Sequence, residues 1–87
     1  MSHIHSREHA DEGYVFSVQC SHQINVLLMD DINYRRYKSG QSAKYYGGFY
    51  THFPANIAVP SSGFWNVVLA LPAGHKASIR YSIDVIG

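Results

Sequence analysis

Residues 24–48, INVLLMDDINYRRYKSGQSAKYYGG, contain the segment that decides the fold of this chain. Its first six residues are apolar except for Asn25, and two of them, Ile24 and Val26, are β-branched. A short apolar run of this kind is typical of a strand that is buried on both faces, and it is too short for an independent helix. The segment therefore predicts a central β-strand over residues 24–29.

A short helix is predicted immediately after this strand. The carboxylate of Asp30 or Asp31 can accept hydrogen bonds from the free N–H groups at a helix start, where negative charge also suits the helix dipole. Gly40 can end the helix in the left-handed conformation. Basic residues, which suit the opposite end of the dipole, fall shortly before that glycine: Arg35, Arg36 and Lys38. The segment therefore predicts one or two helical turns.

Two residue pairs close the segment. Tyr45 and Tyr46 suit a strand, in which adjacent side chains lie on opposite faces. Gly47 and Gly48 follow, and they predict a turn, a bulge or the close approach of another group. The helix is thus expected to lie between two strands.

The rest of the chain predicts short strands separated by turns. Residues 14–21 alternate, with Phe16 and Val18 on one face, and residues 64–71, FWNVVLAL, repeat the pattern of a buried strand. Because the short connection Ser21-His22-Gln23 leads directly to the central strand, we expect these two strands to form a hairpin. Further strand patterns cover residues 2–10, 49–53, 55–59 and 76–86.

Six to eight short strands with one short helical turn predict an all-β fold. The arrangement is either a small antiparallel β-sandwich or a partly open barrel. The chain has 87 residues, of which 46% are hydrophobic and 15% charged, so we expect one domain over residues 1–87 with a modest core. Cys20 is the only cysteine, which excludes an intrachain disulfide, and its apolar surroundings favour a buried, inert thiol.

The net charge limits the classes of partner. A formal net charge of +1 lacks the basic surplus that a general nucleic-acid binder or a binder of anionic membranes needs. The polar N-terminal residues do not form a secretory signal, and no apolar run approaches the length of a transmembrane helix. We therefore expect a cytoplasmic bacterial protein.

Four motifs carry a resemblance to a known family. They are INVLLMDDINYRRYKSG at residues 24–40, YYGG at 45–48, VPSSGFWNVVLAL at 59–71 and IRYSIDVIG at 79–87. From about residue 13 to its end, the chain resembles the bacterial family called domain of unknown function 1883. The resemblance implies a small β-rich domain, found alone or attached to TIR domains, and hence a setting in signalling or defence. It carries over no activity and no catalytic residues, and Phe64 stands where the family tends to have a histidine.

Histidines supply one set of candidate metal ligands. His3, His5 and His9 have the same parity, so an unbroken strand would place them on one face, where their imidazoles could bind zinc. The remaining ligands would have to come from elsewhere in the chain: His22, His52 or His75. Because the sequence shows no second paired ligand element, adventitious metal binding explains the pattern equally well, and we expect no bound cofactor.

The acidic residues give little indication of catalysis. Asp30 and Asp31 are adjacent, so they need not face each other across a substrate, and helix capping explains them more simply. The serines at 61 and 62 lack the pattern of a nucleophile elbow, and the glycine pair at 47 and 48 lacks the lysine of a P-loop.

An aromatic and basic surface is the remaining candidate. Tyrosine rings can stack on a base or sugar, and arginine can bind phosphate or carboxylate in a forked geometry. We expect residues 30–48 to form the rim of such a site, whose ligand-binding residues would be Arg35, Arg36, Tyr37, Lys44, Tyr45 and Tyr46. The alternative is that the tyrosines, Tyr37 and Tyr45 among them, are buried in the end of the sandwich and simply close it.

Two functions follow from these patterns. The favoured one is a noncatalytic module that binds a small anionic or nucleotide-like ligand or a protein partner. A homo-oligomer is also expected, because a small sandwich has open edges and this chain has few charges to protect them. The alternative is a small metal-dependent or acid–base enzyme that uses the histidines with Asp30 or Asp31.

Overall fold

Two antiparallel sheets make up the part of the chain that the computed structural model describes, residues 3–72, 74 and 78–87. Its elements, in chain order, are β1 (Ile4–Ala10), β2 (Val15–Cys20), β3 (Ile24–Met29), α1 (Asp31–Lys38), β4 (Tyr46–Tyr50), β5 (Ala55–Ala58), β6 (Gly63–Ala70) and β7 (Tyr81–Ile86). One sheet has the strand order β1-β6-β3-β4, and the other has the order β5-β2-β7. The sheets do not close into a barrel, so the prediction of a β-sandwich is confirmed.

The core lies between the two sheets and is centred on β3 and β6. Their antiparallel register places Leu28 beside Val67 and Val26 beside Leu69, and all four side chains are buried. The second sheet meets them with alternate residues of β2, led by Phe16, which is fully buried. The apolar runs of the sequence therefore become the two central strands, as their composition predicts.

The outer face of the larger sheet is also apolar, and α1 covers it. Leu27 and Met29 of β3 pack with Val68 of β6 against Tyr34 of the helix. Because one set of alternate residues faces the other sheet and the next set faces α1, β3 is buried on both faces. The prediction from its unbroken apolar run is confirmed.

The ends of α1 follow the predicted chemistry. The Asp30 carboxylate accepts a hydrogen bond from the backbone N–H of Asn33 at 2.8 Å, so Asp30 is the N-cap and Asp31 is the first helical residue. Gly40 lies just beyond the helix with a φ of 78°, the left-handed conformation that glycine adopts at little cost. With eight residues, α1 is short, and no helix in the described part of the chain is long and apolar enough to cross a membrane.

The predicted hairpin between β2 and β3 is wrong. The three residues between them carry the chain from one sheet to the other, so these strands pack face to face through the core. β2 pairs instead with β5 and β7, and Ser21 extends the pairing with β7 by exchanging hydrogen bonds with Arg80. A short connection fits a hairpin and an arch between sheets equally well, which is why spacing alone misled the prediction.

Two other strand predictions need correction. The glycine pair forms no turn, because Gly47 and Gly48 lie within β4, but the predicted close approach of another group is confirmed at Gly47, which lies against the backbone oxygen of Val26. β4 continues to Tyr50 and ends before the predicted limit at residue 53. The last strand begins at Tyr81, well after the predicted start, and the predicted positions 2, 76 and 77 lie outside the described residues.

Candidate functional site

An open cleft of about 350 Å³ lies where the end of β3, the approach to β4 and the loop before β6 meet. Leu28 forms part of its floor, and Trp65, which is largely buried, forms part of a wall. The polar lining includes Asn33, Lys44 and Ser61. A volume of this size is at the small end of the range for ligand pockets.

Hydrogen bonds connect the helix start to the segment that carries Lys44. The Asp30 carboxylate accepts from both the backbone and the side-chain amide of Asn33, at 2.8 and 2.9 Å. The side-chain oxygen of Asn33 in turn accepts from the backbone N–H of Lys44 at 2.9 Å. This chain of contacts fixes the backbone at Lys44, which is one of the residues that line the cleft.

The aromatic part of the cleft is built on β4 and β6. The indole N–H of Trp65 donates to the backbone oxygen of Ser61 at 2.8 Å, which holds the loop before β6 against the ring. Tyr46 meets Trp65 edge to face, with ring centroids 6.2 Å apart. Tyr46 is 51% exposed, so much of its ring remains accessible to a ligand beside Lys44.

The structure divides the six residues predicted to bind a ligand. Lys44 and Tyr46 line the cleft, whereas Tyr37 packs against the outer face of the larger sheet, where burial raises its pKa. The guanidinium Nε of Arg36 donates to the backbone oxygen of Ser42 at 2.7 Å and so braces the loop after α1.

The other two predicted residues, Arg35 and Tyr45, are exposed and do not line the cleft among the described residues. The rival explanation, that Tyr37 and Tyr45 close the sandwich end, is wrong for Tyr45, which is 51% exposed. Tyr37 is partly buried, but it packs between α1 and the outer face of the larger sheet and not in the end of the sandwich.

A polar network on the outer face joins β1, β6 and α1. Arg7 of β1 donates two hydrogen bonds to the Asp31 carboxylate, at 3.0 and 2.8 Å, in a forked ion pair. Asn66 of β6, fully buried, donates to the same carboxylate at 2.8 Å. Arg7 first and Asn66 second hold the pKa of Asp31 well below its usual value of 3.8.

The orientation of the Asn66 amide determines the tautomer of the His5 imidazole. Its nitrogen donates to Asp31 and to the backbone oxygen of Met29, so its oxygen faces His5 Nε2 at 2.7 Å. That nitrogen must carry a proton to donate to an oxygen acceptor. A neutral His5 therefore presents an unprotonated Nδ1. An asparagine within a buried apolar run was the signal that could have identified Asn66 from the sequence.

Tyr34 of α1 contacts two of the N-terminal histidines, His3 and His5. The His5 ring stacks on it with centroids 4.0 Å apart, and His3 Nε2 lies 3.0 Å from its hydroxyl oxygen. The Lys38 ammonium lies 4.7 Å from the same ring centroid. Burial raises the pKa of Tyr34, and the neighbouring Tyr37 raises it further. The hydroxyl therefore stays protonated well into the alkaline range.

Two of the predicted metal ligands, His5 and His9, lie on one face of β1, and His3 directly precedes this strand, but the three contact different partners. His3 and His5 contact Tyr34, whereas His9 meets Phe64 edge to face at 5.2 Å, on a ring that also carries the Arg7 guanidinium at 4.0 Å. Of the three residues suggested to complete a site, His22 and His52 bond the neighbouring Ser21 and Thr51, and His75 lies outside the described residues. Within residues 3–72, 74 and 78–87, no three His, Cys, Asp or Glu side chains are placed to hold a metal ion.

Comparison with known proteins identifies a family for this chain. Neither the search of curated proteins nor the search of solved structures returned a significant match. The family model described as a domain of unknown function (DUF1883) matches residues 1–86, nearly the whole chain. The similarity seen in the strand, helix and glycine motifs therefore extends to both ends of the sandwich, and the chain belongs to the family of the domain of unknown function 1883.

Proposed function

We propose that this protein is a noncatalytic binding module that takes a small anionic or nucleotide-like ligand in the cleft beside Lys44. The observation that carries the proposal is the anchored position of Lys44, whose backbone is fixed through Asn33 to the helix cap at Asp30. Lys44 and the half-exposed Tyr46 line the same cleft, so a lysine charge is available for an anion and an aromatic surface for a flat ring.

The charged lining of the cleft consists, among the described residues, of one cation and one anion: Lys44 and Asp30. Both Asn33 N–H groups donate to the same carboxylate oxygen of Asp30, Oδ1, which holds this carboxylate at the helix start. The proposal of an anionic ligand therefore rests on Lys44. A module of this kind fits the signalling or defence setting that TIR-linked relatives imply, and the cytoplasmic and bacterial assignments stay predictions.

Titration of the isolated protein with nucleoside monophosphates and with inorganic phosphate tests the proposal. Heat of binding and amide chemical shifts should respond to the nucleotide, with the largest shifts around residues 30–33 and 44–46. Lys44→Gln should weaken binding by about tenfold or more, since a charged hydrogen bond is lost. Arg80→Gln is the matched control, because this exposed cation precedes β7 and does not line the cleft.

Two results would contradict the cleft as the site. One is the absence of any response to the anions in the panel. The other is equal affinity of the Lys44→Gln variant and the wild-type protein, which would place the contact elsewhere.

A second candidate function, acid–base catalysis, rests on the chain Asp31–Asn66–His5. This chain fixes the histidine tautomer and leaves Nδ1 as a base, an arrangement that enzymes use to orient a catalytic imidazole. His5, however, is exposed on a strand and does not line the cleft. A substrate at His5 would lie outside the cleft described above, so we favour binding over catalysis.

A further inference from the structure

The four edge strands of the described sandwich differ in how they are protected. Edge strands expose unpaired backbone groups, and proteins discourage their pairing with charges, prolines or short length. β1 carries Arg7 and Glu8, β7 carries Asp84, and β5 has four residues between Pro54 and Pro60. β4, with the sequence YGGFY, has no charged residue and no proline, and its five residues make it one residue longer than β5.

The unprotected edge is also the most aromatic. Tyr46 and Phe49 of β4 and the preceding Tyr45 are each 51% exposed. Rings of this size bury about 150–250 Å² when fully covered, so the three side chains leave roughly 300 Å² of accessible surface on each copy. Exposed aromatic surface beside an open strand edge is a combination that favours strand pairing.

We propose that β4 pairs antiparallel with β4 of a second copy of this chain, about a two-fold axis through Gly48. The two larger sheets would then form one continuous sheet of eight strands. This interaction goes beyond ligand binding. Tyr46 belongs to both surfaces, but Phe49 does not line the cleft among the described residues, so a change at Phe49 tests the dimer apart from the ligand site.

The sequence of β4 is complementary to itself in this register. Each Phe49 lies opposite Gly47 of the other copy, and each Tyr46 lies opposite Tyr50. Residues that pair across strands share a face of the sheet, so the Phe49 ring covers the exposed strand surface above a residue with no side chain. The two-fold axis produces this Phe49–Gly47 pair at two places in the interface. This repeated match between a ring and a glycine is the reason to choose a second copy of the chain as the partner.

Charge does not oppose the association. The nearest cation, Lys44, precedes the strand, so the two-fold axis places the two lysines at opposite ends of the paired strands. The net charge of each copy is +1, which gives little repulsion between them. The contact area is below that of standard interfaces, so we expect a reversible dimer that forms at micromolar concentrations.

Sedimentation velocity across the micromolar range tests the proposal directly. The wild-type protein should shift from monomer to dimer as concentration rises. Phe49→Lys adds a charge to the edge and should weaken association by about tenfold or more. Ile86→Lys is the matched control: Ile86 is 53% exposed on β7, and this variant should dimerise as the wild type does.

Hydrogen exchange on the wild-type protein provides a test that needs no variant. Backbone amides of β4 should exchange more slowly at high protein concentration, whereas amides of β7 should not change. A wild-type chain that stays monomeric at high micromolar concentration overturns the proposal. The β4 edge would then be open to pairing with a different polypeptide. Loss of the dimer in Ile86→Lys but not in Phe49→Lys also overturns it and points to β7.

Discussion

At the position of Gly47, β4 approaches β3 so closely that no side chain fits. A Cβ atom there would collide with the backbone oxygen of Val26 and lie 3.1 Å from Ile57 Cδ1, and the φ of 114° is strained for any other residue. A Cβ atom added at Gly48 would have no other heavy atom within 4 Å. The two neighbouring glycines therefore have different reasons to be glycine, although the sequence presents them as an equivalent pair.

Replacing each glycine by alanine separates these roles. Gly47→Ala should lower the free energy of unfolding by about 1–3 kcal/mol, through the strained φ and the clash with β3. Gly48→Ala, the matched control, should change it by less than about 0.5 kcal/mol. Urea unfolding at low protein concentration measures both without a contribution from dimerisation. Equal losses in the two variants would contradict the assigned role of Gly47.

The candidate site was predictable from the sequence only in part. Of the segment predicted to form the rim of a ligand or partner surface, Lys44 and Tyr46 line the cleft, and ligand binding there stays a prediction. Two of the predicted residues on α1 lie away from the cleft. Tyr37 faces the sheet, and Arg36 bonds to the loop that follows its own helix. Composition shows which side chains are available, but the rotation of the helix decides which of them meet.

At the scale of elements, α1 is attached to the sheet by charge as well as by apolar contact. Arg7 and Asp31 connect β1 to the first turn of the helix, across the buried Asn66 of β6. The Arg7 and Asp31 side chains are 46% and 42% exposed, so solvent screens the pair and its contribution to stability is small. The apolar contacts of Tyr34 provide the larger share.

Stability should depend on pH through Asp31. Its folded-state pKa lies below the usual 3.8, so its contribution is complete above that pH and is lost as the pH falls toward the folded pKa. Asp31→Asn should lower the urea midpoint at neutral pH, and the difference from the wild type should shrink in acid below 3.8. Asp84→Asn, an exposed carboxylate on β7, is the control. A difference that is the same at both pH values would show that Asp31 acts through packing instead.

At the scale of the whole molecule, hydrophobic pattern predicted burial better than it predicted pairing. The alternation in β2 identified Phe16 and Val18 as core residues, and both are fully buried. The same pattern could not show that β2 belongs to a different sheet from β3. Burial depends on each residue and its neighbours along the strand, whereas pairing depends on contacts between distant segments, which a single sequence does not reveal.

Leu28 tests whether the sandwich unfolds as one unit. It is fully buried in β3 between the two sheets, so Leu28→Ala leaves a cavity and should lower the free energy of unfolding by about 2–4 kcal/mol. Ile32→Ala is the control, since Ile32 is 64% exposed on α1 and alanine favours a helix, so the change should stay below about 0.5 kcal/mol.

The same urea experiment can follow both Trp65 fluorescence and far-ultraviolet circular dichroism. Trp65 reports the core near the cleft, whereas circular dichroism reports all the strands. Because Leu28 contacts the shared core of both sheets, the two signals should move together to the same lower midpoint in Leu28→Ala. A loss of under about half a kcal/mol would contradict the assignment of β3 to the centre of the core. Separate midpoints for the two signals would instead show that the sheets unfold independently, because a single core requires that they lose their packing at once.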